Sequence, residues 1–74
     1  MKKIASFTYY GAKKYKDRQV QMNLGNDGVY VVAVEGYRAL DQHTPDRDKA
    51  EEILRGWWEM SQKDWGASEI IWNE

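Results

Sequence analysis

Val20, Met22 and Leu24 alternate strictly with Gln19, Gln21 and Asn23, which is the two-residue period of a strand with one buried and one wet face. Gly25-Asn26-Asp27-Gly28 follows with the residues that tolerate positive φ, and Val29 to Val34 resumes strand composition at once. The pair predicts a β-hairpin from about Gln19 to Glu35. Upstream, Lys3 to Tyr10 is β-branched and aromatic in composition, with Ala5, Phe7 and Tyr9 alternating against Ile4, Ser6, Thr8 and Tyr10, so a first strand is expected there. Gly11 to Asp17 carries a glycine and four charges and reads as a loop. Gly36 stands where a bulge or bend would sit, and Tyr37 to Leu40 is able to continue the strand past it.

The period then changes. Ala50, Ile53, Leu54, Trp57 and Ser61 gather on one face at 100° per residue, with Asp48, Glu52, Arg55, Glu59 and Gln62 opposite. Thr44-Pro45-Asp46 supplies the start: a threonine N-cap, a proline at the first helical position and acids in the first turn. A helix from Pro45 to about Gln62 is expected, supported by the acid-before-base pairs Glu51/Arg55 and Glu59/Lys63. After Gly66, Ser68 to Asn73 is short, β-branched and aromatic and predicts a last strand. The expected fold class is α+β: a small antiparallel sheet, in the order β-β-β-α-β, with one helix packed on one face and the other face open.

Composition narrows this picture. The 74 residues make one domain, near the lower size at which a single core holds a fold without a staple. With no cysteine, neither a disulfide nor a thiolate metal site is available, and the four tryptophans and five tyrosines must carry much of the packing. Met1-Lys2-Lys3 opens like a signal peptide, but Ser6, Thr8, Tyr9 and Tyr10 interrupt the apolar run one needs. No stretch approaches bilayer-spanning length, so a soluble, cytoplasmic protein with no membrane partner is expected. The 11 basic and 12 acidic residues nearly cancel, yet Lys2, Lys3, Lys13, Lys14, Lys16 and Arg18 face only Asp17 in the first quarter. The chain is therefore dipolar in sequence, able to orient a partner by its field.

Candidate chemistry is sparse. His43 is the only histidine and has no second soft ligand to share a metal. Ser6, Ser61 and Ser68 stand in no nucleophile turn, and Glu51/Glu52 and Asp46/Asp48 read as the wet face of a helix. Gly25 and Gly28 join two strands, with no helix N-terminus behind them to hold a phosphate. No enzyme activity, cofactor or metal is expected. Two features favour binding. In the segment from Tyr9 to Arg18, the aromatics Tyr9, Tyr10 and Tyr15 are interleaved with Lys13, Lys14, Lys16 and Arg18, the combination that stacks on bases and meets phosphates, and equally an ordinary solvated loop. Trp58 falls on a flank of the buried helical stripe and is a candidate contact residue.

From Asp27 to Trp58 the layout Asp-Gly-x-Tyr-Val-Val-x-Val, a loop, then Thr-x-Asp-x-x-x-Ala-Glu-Glu into a tryptophan-bearing helix resembles HicB-type antitoxins, with Gly36-Tyr37-Arg38-Ala39-Leu40 where that family usually has Pro-Gly-Cys. More loosely, the size, the Thr44 to Trp58 helix entry and the Gly66 to Trp72 return are similar to very small phage proteins with one sheet and one helix, including anti-CRISPR proteins. That resemblance implies a non-catalytic inhibitor of a bacterial defence complex, in the host cytoplasm, acting through protein-surface contacts, which the residue pattern assigns to Tyr9, Tyr10, Lys13, Lys14, Tyr15, Lys16, Arg18 and Trp58. The alternatives are a small nucleic-acid-binding module using residues 9–18, and an antitoxin-like or accessory subunit that dimerises through a sheet edge or the open face.

Overall fold

The computed structural model describes residues 1–11 and 16–73; most of the expected 11–17 loop, with Lys13, Lys14 and Tyr15, lies outside them. Five strands and one helix follow the chain: β1 (Lys2–Tyr9), β2 (Arg18–Leu24), β3 (Tyr30–Val34), β4 (Tyr37–Thr44), α1 (Arg47–Asp64) and β5 (Ile71–Trp72). The strands form one antiparallel sheet in the order β4-β3-β2-β1-β5. α1 lies across β1 to β4 on a single face. The α+β class with one helix on an antiparallel sheet is thus as the residue pattern leads one to expect.

Register explains which side chains meet the helix. Phe7 lies opposite Val20 and Ala5 opposite Met22, while Val20 pairs with Val34 and Met22 with Val32. These positions form rows under the Ala50, Leu54 and Ser61 stripe of α1, all of them buried. A shift in pairing between Lys3 and Ala5 inserts one extra residue into β1, and as a result both Ile4 and Ala5 are buried although they are neighbours. The opposite face carries Thr8, Gln19, Gln21 and Asn23 around Val31 and Ala33, and among the described residues no helix covers it.

Two expectations are corrected. Gly36 does not interrupt β3; with φ of 83° it is the second residue of a two-residue turn, Glu35-Gly36, that brings Tyr37 back opposite Val34. Tyr37–Thr44 is therefore a separate, antiparallel fourth strand, and the order is β-β-β-β-α-β. The helix N-cap is Asp46 and not Thr44: the Asp46 side chain accepts from the Asp48 and Lys49 amides at 2.9 and 3.4 Å, so α1 begins at Arg47 and Pro45 precedes it. Thr44 acts one step earlier, its Oγ1 accepting from the Asp46 amide at 3.1 Å. This bond fixes the entry without capping the helix.

The far end of α1 is tied down more elaborately. Gly66 takes φ of 88°, and the Trp65 and Gly66 amides both donate to the Ser61 carbonyl at 2.9 and 2.8 Å. The chain then turns back along β1: Tyr10 donates to the Gly66 carbonyl, Ser68 to that of Thr8 and Asn73 to that of Ile4. Of the expected Ser68 to Asn73 strand, regular pairing is confined to β5, with a bridge between Tyr9 and Ala67 ahead of it.

Candidate binding cleft

The turn at Gly36, the end of β1 and the C-terminus of α1 meet at one corner of the molecule. β1 delivers Tyr9, whose ring stacks on Trp65 with centroids 6.0 Å apart and planes at 26°. β4 delivers Tyr37 and Leu40; α1 delivers Trp57, Met60 and Asp64. Together with Val34 and Ser61 these line a cavity of about 210 Å³. A second lobe of about 220 Å³ shares Tyr9, Tyr37 and Trp65 and is closed by Gly11 and Arg18.

The irregularity of β4 is what aims Leu40 into this cleft. Val32 pairs with Gln42 and Val34 with Tyr37, so two steps along β3 correspond to five along β4, and residues 38–41 bulge from the ladder. Leu40 consequently faces the cleft, while Arg38 and Asp41 line a shallow polar groove with Gln19 and Gln21 on the uncovered face. The bulge and its charges also blunt this outer edge against strand pairing, and at the other edge β5 is only two residues long.

Exposure concentrates apolar surface at the cleft. Tyr37 is 41% exposed, Leu40 39%, Met60 53% and Trp65 50%, and all four line one recess. Among the described residues the other exposed large apolar side chains are Met1, Tyr10, Ile71 and Trp72, and the Trp72 ring has the Arg55 guanidinium 5.5 Å from its centroid. Contiguous apolar surface in a concave site is the feature that distinguishes a contact surface from ordinary scattered hydrophobics.

Electrostatics divide the two lobes. Arg18 lies with Cζ 5.1 Å from the Tyr37 centroid and its Nη1 donates to the Glu35 carbonyl at 3.4 Å; its Nε is buried with no hydrogen-bond partner among the described residues. Gly36 is required beneath it, since a side chain there would run into the guanidinium. The Tyr9 hydroxyl is held protonated further into the alkaline range than usual, first by burial and then by Tyr37, against an opposing effect of Arg18 and with a still smaller contribution from Glu35.

The residues singled out from sequence are distributed unequally over this corner. Tyr9 and Arg18 are walls of the cleft. Tyr10 and Lys16 are exposed and line neither lobe; Lys13, Lys14 and Tyr15 fall outside the described residues. Trp58 is half-buried, donating through Nε1 to the Ser68 carbonyl at 2.8 Å, a bond that ties α1 to the returning chain. Tyr37, Leu40, Asp64 and Trp65 were not singled out. Their signal is three-dimensional: Tyr37 and Leu40 reach the cleft only because β4 folds back, and Trp65 only because Gly66 reverses the chain.

The fold and this corner define a small α+β domain with an aromatic-walled surface cleft. Comparison with known protein families, with curated proteins and with solved structures finds no match.

Proposed function

We propose that this is a non-catalytic binding protein whose contact surface is the Tyr9/Tyr37/Trp65 cleft, and that the cleft takes a side chain of a protein partner. The observation that carries the reading is the convergence of four exposed apolar side chains, Tyr37, Leu40, Met60 and Trp65, on one recess. Energies at protein interfaces concentrate in a few such pockets, where an anchor is fully desolvated and the surrounding rim excludes water. Both sheet edges are blunted, which favours side-chain docking over strand addition. A small rigid inhibitor that occupies the surface of a bacterial complex, a defence complex among them, uses a surface of this kind, and that is the biological role we assign.

The test is capture from bacterial lysate by wild type, Leu40→Glu and Gln21→Glu, each with and without nuclease. A partner retained by wild type and Gln21→Glu after nuclease, and lost by Leu40→Glu at unchanged melting temperature, supports the reading. Capture that disappears with nuclease treatment indicates nucleic acid as the partner and overturns it.

A further inference from the structure

The lobe lined by Leu40, Trp57, Met60 and Asp64 has a definite electrostatic character. Its walls include Tyr9, Tyr37, Trp57 and Trp65, and among the described residues that line it Asp64 is the only acidic one and none is cationic. Aromatic faces carry the negative part of the ring quadrupole, and a cation placed on them is attracted. Asp64 is also the last residue of α1, with Trp65 as its C-cap, so the negative end of the helix dipole points at the same place. A carboxylate, a helix C-terminus and four rings all favour positive charge.

Size and internal precedent narrow the ligand further. A cavity of about 210 Å³ falls below the ~300–1,000 Å³ common for small-molecule and cofactor sites and suits one side chain. The molecule itself packs guanidinium on aromatic rings twice, Arg18 on Tyr37 at 5.1 Å and Arg55 on Trp72 at 5.5 Å. Arginine is planar, weakly hydrated and stacks readily, whereas an ammonium gives up more hydration on entering an apolar recess. Arg18, in the neighbouring lobe, opposes a second cation; Glu35, whose carbonyl meets Arg18 and whose carboxylate accepts from the Gln19 amide at 3.1 Å, offsets it in part.

Resting on the protein-binding reading of the cleft, we infer that its occupant is an arginine side chain of the partner, stacked among Tyr37, Trp57 and Trp65 and paired with Asp64. The partner then presents a basic, arginine-bearing surface, such as one that otherwise holds nucleic acid.

Isolated probes separate this from the parent reading. The uniformly ¹⁵N-labelled protein is titrated with Nα-acetyl-arginine amide, its neutral isostere Nα-acetyl-citrulline amide, and Nα-acetyl-leucine amide, reading the four indole N–H signals. The arginine probe is expected to shift Trp57 and Trp65 saturably, leaving Trp58 and Trp72 as internal controls, with citrulline weaker by about threefold to tenfold. Asp64→Asn is expected to remove that difference and Asp64→Glu to keep it, both at wild-type melting temperature. Citrulline or leucine matching arginine would overturn the charge assignment and leave the cleft as an apolar-anchor site. Silence of Trp57 and Trp65 towards all three probes would overturn both the arginine assignment and the cleft.

Discussion

At Gly36 the backbone takes φ of 83° while the Arg18 guanidinium lies over the Cα on its way to the Tyr37 ring. Any other residue strains the turn and displaces Arg18. Gly36→Ala is expected to lower stability by about 1–2 kcal/mol, the cost of left-handed backbone for an L-residue, in urea denaturation; an unchanged midpoint would contradict this assignment. Tyr9 makes a prediction in pH. Its hydroxyl loses its proton above the ordinary value of 10.0, so the folded state holds the proton more tightly than the unfolded chain does. The resulting stability is fully present below about pH 10 and is lost as pH rises through the raised value. Wild type should therefore lose stability above pH 10 more steeply than Tyr9→Phe, as followed by denaturant midpoints at stepped pH.

At the scale of elements, α1 has two candidate caps in Thr44 and Asp46, and the hydrogen bonds choose between them. Asp46→Ala is expected to cost about 0.5–2 kcal/mol, in the range for loss of an N-cap, and Thr44→Ala less; the reverse order in thermal melts would restore the threonine as cap. Trp58 fastens the other end. Trp58→Phe removes one hydrogen bond worth about 0.5–1.5 kcal/mol and should loosen the return, seen as faster amide exchange at Ser68 and Asn73 with β2 and β3 amides protected as before. These elements also show what a sequence can reveal. The β2–β3 hairpin and the buried stripe of α1 are legible because their signal is periodic and local. β4 is not: residues 38–41 bulge, so Arg38 and Asp41 share a face at odd spacing and the two-residue period that marks a strand is broken. The N-cap was misplaced by two residues because Thr44 and Asp46 are both good capping residues and only the bond geometry separates them.

For the whole molecule, the antiparallel sheet, the single covering helix and the surplus of aromatic side chains were visible in the pattern of residues, whereas the cleft was not. The residue pattern assigns Tyr9 and Arg18 to a cationic, aromatic loop, and they instead form walls of a cleft completed by residues from Val34 to Trp65. Its assembly depends on two chain reversals at Gly36 and Gly66, and on Met60 standing on the flank of α1 that faces β4. The central claim is that this corner meets a protein partner. It is tested most directly by placing a photo-crosslinking benzophenone side chain at Met60 or, as a control on the uncovered sheet face, at Gln21, and irradiating in nuclease-treated bacterial lysate. A discrete protein adduct from position 60 and none from position 21 is the expected result; an adduct from position 21 with none from position 60 would contradict it.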